Sequence, residues 1–221
     1  MTVRDMTLPS GSANLAQADA LARAPTVFVL HEDPEVCKQV RALVEAAGLA
    51  TRTCCDAASL FSELSLDQPG CLVLGSQIHS LTAPELQCEL TRRGINIPTI
   101  VDVGCAEVSL AVSALRAGAV EVIEHPLLWE RLVAVILRAI AADLHRRSHL
   151  LARGEVRQRY AELTAREREV LKFVVEGATS SAIAKQLGIR EKTVEVYRSH
   201  INRKMRARNA VELARMVYSV R

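Results

Sequence analysis

Short apolar runs alternate with amphipathic segments over residues 26–142 of this 221-residue chain, and this alternation limits the fold more than any other feature. Runs rich in β-branched residues, such as TVFVL, CLVLG and IPTIVDV, precede segments with apolar residues at helical spacing. Several of those segments end at a glycine. Five such repeats predict an α/β domain, with a doubly wound five-stranded parallel sheet and helices on both faces.

The carboxyl ends of the predicted strands are where this architecture places a functional site. In this chain they carry His31, Glu32, Asp33, Gly75, Ser76, Val103 and His125. The set mixes imidazole and carboxylate groups with two positions that have no polar side chain. A site in this half of the chain is therefore expected to use these residues.

The last 60 residues follow a different pattern, in which short amphipathic helices surround one tight turn. Thr164 and Glu167 fit a capping box at the start of the first helix. Gly188 can adopt the positive φ that joins two crossing helices. A third helix is predicted over residues 191–205. The pattern predicts an all-α helix-turn-helix domain that places this third helix in the major groove of DNA.

The third predicted helix has two different faces at about 100° per residue. The inward face carries Val194, Tyr197, Ile201 and Met205. The opposite face carries Lys192, Val196, Ser199 and Arg203. An outward valine on a basic helix suits contact with a thymine methyl group or a base edge. The alternative is an ordinary basic surface helix.

Charge divides the chain into two parts. The first 145 residues carry 10 Lys and Arg against 17 Asp and Glu, a net charge of −7. The remaining residues carry 18 against 8, a net charge of +10. This asymmetry predicts an acidic input domain and a nucleic-acid-binding tail. The predicted organisation is a mobile arm (1–25), with a short helix around residues 15–24 as the alternative, the α/β domain (26–142), a helical linker (143–160) with a break at Gly154, and the helix-turn-helix domain (161–221).

Neither a signal peptide nor a membrane-spanning segment is expected. The first 25 residues lack a sustained apolar core, and no apolar run approaches the ~18 residues of a membrane span. The expected location is the cytoplasm, where thiols stay reduced.

The C-terminal stretches LTAREREVL, IAKQLGI and TVEVYRSHINRKM resemble the LuxR-type DNA-binding domain of the FixJ/NarL response regulators. The resemblance implies a homodimer on double-stranded DNA, with the third helix in the groove. It implies base-reading positions at Glu195, Val196 and Ser199. Contacts to the DNA backbone are implied for Lys192, Thr193, Arg198, Arg203 and Lys204. The helix over residues 210–220 resembles the one that pairs subunits, with candidates Val211, Ala214 and Arg215.

The N-terminal stretches VFVLHEDPEV, GLATRTCCDAASLF and LRAGAVEVIEHP resemble a response-regulator receiver domain, whose strands have the flavodoxin-like order. In that family an acidic pair after the first strand holds Mg²⁺, and here the pair reads His31 and Glu32, followed by Asp33. The family's phosphoacceptor aspartate corresponds to Gly75. Its switch Ser or Thr corresponds to Val103, and its lysine before the last proline corresponds to His125.

These substitutions predict a receiver-like domain that aspartate phosphorylation does not switch. Gly75 offers no carboxylate for an acyl phosphate, Val103 cannot donate a hydrogen bond, and His125 is not a permanent cation at pH 7. Phosphorylation of another acidic residue, such as Asp33 or Asp102, is the alternative. The expected regulator is constitutively active and needs no cofactor. The resemblance also implies that residues 107–138 form a surface for dimerisation or for docking RNA polymerase or a regulatory protein.

Two sensing hypotheses stay open beside constitutive activity. A transition metal or haem could be held by His31, His79, Cys105 and His125. Imidazole and thiolate groups are the ligands that such metals favour. All six cysteines lie in the receiver-like half, and Cys105 is the candidate redox-reactive thiol. No enzyme is predicted, since the sequence has no nucleophile motif, glycine-rich phosphate loop or catalytic triad order.

Overall fold

The computed structural model describes residues 23–65, 68–104, 107–124 and 129–220, with the backbone alone at residues 129 and 130. It contains two compact units, which divide between residues 148 and 149. The predicted N-terminal arm lies almost wholly outside the described residues.

A five-stranded parallel sheet forms the centre of the first unit. Its strands are β1 (Thr26–Leu30), β2 (Ala50–Cys54), β3 (Gly70–Gly75), β6 (Thr99–Val103) and β7 (Glu121–Glu124). They are ordered β2-β1-β3-β6-β7, with every neighbouring pair parallel. A short antiparallel hairpin, β4 (Gln77–Ile78) and β5 (Leu81–Thr82), follows β3. The predicted sheet is confirmed, whereas the hairpin was not predicted, since two-residue strands are too short to show a period.

Helices cover both faces of the sheet. They are α1 (Pro34–Ala46), α2 (Ala57–Glu63), α3 (Ala83–Arg92), α4 (Val108–Arg116) and α5 (Trp129–Ala161). Alternate residues of each inner strand point to opposite faces, so Val27 and Phe28 enter different cores. One core packs α2, α3 and α4 against the sheet, and the other packs α1 and the first part of α5. This is the predicted doubly wound arrangement.

A buried ion-pair network fastens α5 to the sheet. The Asp143 carboxylate lies 2.5 Å from an Arg146 nitrogen and 2.7 Å from the Arg147 Nε, and it accepts a 3.2 Å hydrogen bond from the Gly70 N–H. Arg147 also donates to the carbonyl of Gln68. Because Asp143 is fully buried, the paired arginines offset the cost of burying its charge. Helix α5 then continues through Gly154, so the predicted break there is wrong; a single helical glycine costs only about 1 kcal/mol.

Four further helices complete the second unit around one core. They are α6 (Ala165–Val175), α7 (Ser180–Leu187), α8 (Glu191–Met205) and α9 (Ala210–Ser219). Thr164 and Glu167 form the predicted capping box at the start of α6. Gly188 ends α7 in the left-handed conformation, with φ 65° and ψ 32°, as the predicted turn requires. The helix-turn-helix prediction is confirmed. None of the helices in the described ranges has the length and apolar character needed to cross a bilayer.

Candidate nucleic-acid interface and strand-end pocket

Helix α8 presents the two faces that the sequence predicted. Val194, Ile201 and Met205 are fully buried in the core of the second unit, and Tyr197 packs at its edge. The opposite face is exposed along its length and carries Lys192, Val196, Ser199 and Arg203. Val196 is 49% exposed, which is unusual for a valine on a charged helix. Thr193 and Glu195 are also exposed, so this surface is open to a ligand.

Two of the predicted phosphate-contacting side chains are tied within the unit. Arg198 donates a 3.2 Å hydrogen bond to the carbonyl of Ala178, in the connection between α6 and α7. Lys204 Nζ lies 2.7 Å from a carboxylate oxygen of Glu167 and 3.3 Å from the carbonyl of Glu162. Both side chains therefore hold α8 against its neighbours. Their contacts to the DNA backbone stay a prediction.

Glu167 is a buried carboxylate that stays charged. It is only 3% exposed, and burial by itself raises the pKa of its carboxyl group. Hydrogen bonds from Lys204 and from the N–H and hydroxyl of Thr164 outweigh burial, so the pKa of Glu167 is lowered overall. The sequence identified Glu167 only as a capping residue. Its partner Lys204 lies 37 residues away, and no local pattern signals that pairing.

Helix α9 carries an exposed stripe that contains the predicted dimerisation residues. Val211 is 72% exposed, Arg215 is exposed, and Ala214 is half-buried. Tyr218, which the sequence did not single out, lies one further turn along and is also exposed. These residues recur every three or four positions, so they share one face of the helix.

In the first unit, the His31 side chain fills the space above Gly75 at the end of β3. A Cβ atom added at Gly75 would lie 2.7 Å from the His31 Cδ2 atom, which is closer than side-chain carbons pack. The Asp33 N–H donates a 3.0 Å hydrogen bond to His31 Nδ1, so the neutral ring carries its proton on Nε2. That Nε2 atom lies 3.5 Å from a carboxylate oxygen of Asp102, which is 4% exposed.

The two acidic residues that follow His31 are also engaged in local structure. The Glu32 carboxylate accepts a short hydrogen bond from the N–H of His79, which has a left-handed φ of 54° in the β4–β5 hairpin. Asp33 caps α1 by accepting a 2.8 Å hydrogen bond from the Glu35 N–H. Both carboxylates therefore hold the backbone of neighbouring segments, the β4–β5 hairpin and the start of α1.

Asp102 lies beside His31 and Gly75 in the strand-end pocket that these three residues form. The sequence analysis identified it only as an alternative phosphate acceptor. The available signal was an aspartate inside the apolar run TIVDV. A buried carboxylate in a central strand requires a polar partner, and His31 is placed to serve as one. Val103, the next residue, is buried among apolar side chains.

The metal hypothesis finds no support among the described residues, and those residues do not test the redox hypothesis, because its candidate, Cys105, lies outside them. No group of three or more His, Cys, Asp and Glu side chains there could hold a metal ion. Burial raises the pKa of Cys71 to about 12 and that of Cys54 to about 11, and it also raises the pKa of Cys37. High thiol pKa values oppose reactivity. Cys105 and His125 lie outside the described residues, so the hypotheses that involve them stay predictions.

Comparison with known proteins identifies a matching family and several similar regulators. Residues 161–217 match the family described as bacterial regulatory proteins, luxR family. The C4-dicarboxylate transport transcriptional regulatory protein DctR of Rhodobacter capsulatus is 39% identical over 193 residues, which span 86% of this chain and 98% of DctR. The transcriptional regulatory protein FixJ of Azorhizobium caulinodans is 36% identical over 191 residues, or 86% of this chain and 90% of FixJ. The solved response regulator StyR has a TM-score of 0.80 and 31% identity, over 89% of this chain and 99% of StyR.

A receiver-like α/β unit followed by a helix-turn-helix unit defines a response regulator. The chain belongs to the LuxR-type response regulators, the family of FixJ and DctR. It is therefore a DNA-binding transcription regulator and not an enzyme.

Proposed function

We propose that this regulator recognises its DNA sequence through α8, and that its receiver-like unit functions without phosphorylation of an aspartate. The observation that supports the second part is the packing of His31 over Gly75. The position that corresponds to the family's phosphoacceptor has no carboxylate and no room for one while His31 keeps this orientation. Regulation through protein level or through a partner protein then replaces regulation by a phosphoryl group.

The residues around Gly75 support the same proposal. Glu32 holds the hairpin that follows β3, and Asp33 caps α1, so neither is left as part of an open acidic cluster. A Mg²⁺ site needs several oxygen ligands at short distance. The buried Val103 side chain has no group that could donate to a phosphoryl oxygen.

Acetyl phosphate with Mg²⁺ should leave the protein unmodified. We expect no added phosphoryl group by intact mass spectrometry, and unchanged DNA affinity by fluorescence anisotropy. Sedimentation should give the same homodimer before and after treatment. Incorporation of one phosphoryl group with tighter DNA binding would contradict the proposal. Asp33→Asn and Asp102→Asn variants would then locate the acceptor.

The exposed face of α8 supports the DNA-recognition part. It combines an apolar group, Val196, with the polar Ser199 and the cations Lys192 and Arg203. Apolar and polar groups on one exposed helical face match the methyl groups and base edges of the major groove. Cations at its margins match the phosphates on either side.

Replacing Val196 by alanine should relax sequence preference. We expect the ratio of specific to random-DNA affinity to fall roughly three- to tenfold, because a base contact carries discrimination. Lys192→Ala is the matched comparison on the same face. It should weaken binding to both kinds of DNA alike, since a phosphate contact carries no sequence information. It should also lower the salt slope, the dependence of log affinity on log salt concentration, by about one. Equal losses on both DNAs for Val196→Ala would count against this face.

Two exposed apolar stripes support the proposed homodimer. One lies on α9, where Val211 and Tyr218 are exposed. The other lies on and just after α4, where Val108, Val112, Leu115 and Val120 are exposed. Clustered apolar side chains on a surface mark interaction sites. The α4 stripe falls within the predicted 107–138 surface, which is also the proposed docking surface for RNA polymerase or a regulatory protein.

The cytoplasm, where bacterial DNA lies, is the proposed location.

A further inference from the structure

The Arg166 guanidinium group, on the first turn of α6, joins two helices of the second unit. Its Nη2 donates a 3.0 Å hydrogen bond to the carbonyl of Leu187, the last residue of α7. Its Nη1 donates a 2.6 Å hydrogen bond to Glu169, one turn further along α6. Glu169 thus orients the guanidinium, and the guanidinium holds the end of α7.

The carbonyl that Arg166 binds lies immediately before the turn of the helix-turn-helix. The last carbonyls of a helix have no partner within the helix. Beyond Leu187, Gly188 is left-handed, and the N–H of Ile189 donates a 3.1 Å hydrogen bond to the carbonyl of Ala184. Backbone hydrogen bonds to Ala184 therefore close the turn, and Arg166 binds the carbonyl group at its start. Helix α8 begins at Glu191, three residues after Gly188.

The far end of α8 is held from the same turn of α6. Glu167, the neighbour of Arg166, pairs with Lys204 in the last turn of α8. Consecutive residues of one scaffold helix thus hold the connection that leads into α8 and the end of α8 itself. Since α8 is a single helix of 15 residues, these two attachments act together with its buried face and the Arg198 contact to set how its exposed face is presented.

We infer that Arg166 is a positioning residue for DNA sequence recognition, which acts through the α7–α8 turn and not through contact with DNA. This inference rests on the proposed role of α8 as the recognition helix. A guanidinium group suits the role because its rigid planar donors can reach a carboxylate and a carbonyl together. A lysine at this position offers one ammonium group on a flexible chain and can serve the two acceptors less well.

Arg166→Ala, Arg166→Lys and Lys172→Ala in the full-length protein test this inference. Lys172 is exposed on the same helix, so its replacement measures the loss of one positive charge without loss of the turn contact. Affinity for the specific site and for random DNA is measured for each variant over a series of salt concentrations. Arg166→Ala should lower the specific-to-random ratio roughly threefold to tenfold, with the salt slope of the Lys172→Ala control. Arg166→Lys should fall between wild type and Arg166→Ala.

An unchanged affinity ratio in Arg166→Ala would overturn the inference. So would equal losses on both DNAs with a salt slope about one lower than in the control, because that result identifies a phosphate contact. If Arg166→Ala does not fold, amide hydrogen exchange of Arg166→Lys decides. Faster exchange over residues 188–194 than in wild type is expected, and unchanged exchange there overturns the inference. Val196→Ala separates the two claims: if it relaxes preference while Arg166→Ala does not, only the role of Arg166 fails.

Discussion

Replacing Gly75 by aspartate should lower the free energy of unfolding of the first unit by about 3 kcal/mol and should not create a phosphorylation site. The new Cβ would lie 2.7 Å from His31 Cδ2, so the imidazole must leave its place between the Asp33 N–H and Asp102. A second carboxylate would also be buried near Asp102. Urea unfolding followed by circular dichroism measures the loss. Acetyl phosphate should still leave the protein unmodified, because Glu32 and Asp33 remain engaged elsewhere.

A pair of alanine variants separates crowding from the other effects of a glycine replacement. Gly75→Ala adds only the crowded methyl group. Gly104→Ala adds the same group just after β6, where the nearest side-chain atom is 3.5 Å away, an ordinary contact. The first should destabilise by about 1–2 kcal/mol and the second by less than about 0.5 kcal/mol. In a His31→Ala background, Gly75→Ala should cost little. A Gly75→Asp protein as stable as wild type, or one that accepts a phosphoryl group, would refute the account of this pocket.

Replacing Lys204 by alanine should destabilise the second unit by about 2–4 kcal/mol, because it leaves the buried Glu167 carboxylate without its cation. The capping hydrogen bonds from Thr164 remain and limit the loss. Thermal and urea unfolding at neutral pH measure it. Arg203→Ala is the matched control, since it removes a positive charge from the adjacent, exposed position of α8. It should change stability by less than about 0.5 kcal/mol.

The effect of Lys204→Ala should also depend on pH. Because the pKa of Glu167 is lowered in the folded protein, the ionised carboxylate contributes stability above its ordinary value of 4.5. That contribution decreases as the pH falls below 4.5, and it is lost once the pH has fallen through the lowered pKa of Glu167 in the folded protein. The stability difference between wild type and Lys204→Ala should therefore be constant near neutral pH and narrow in acid. Equal effects of Lys204→Ala and Arg203→Ala, or a difference independent of pH, would show that the buried pair contributes little.

The elements with a clear hydrophobic period could be predicted from the sequence. Alternating apolar runs predicted the parallel sheet, and the 3.6-residue period predicted which side of α8 is exposed. Gly188 was identified because a turn between crossing helices needs a positive φ. Each of these features depends on residues close together in the chain.

The features that the sequence did not reveal depend on distant residues or on context. His31 meets Gly75 and Asp102 only after three strands are side by side. In the sequence, Lys204 looks like any basic side chain that could contact a DNA phosphate. Only the fold places it against Glu167. The predicted break at Gly154 failed because helical neighbours on both sides outweigh the small preference of one glycine.

DNA binding by the reduced, metal-free and unphosphorylated protein tests the central proposal most directly. The measurement is its affinity for fragments selected from its own genome, over a range of salt concentrations, with and without acetyl phosphate. The proposal predicts tight, salt-sensitive binding to a near-palindromic site that the phosphate donor does not alter. Specific binding that appears only after treatment with acetyl phosphate would contradict it.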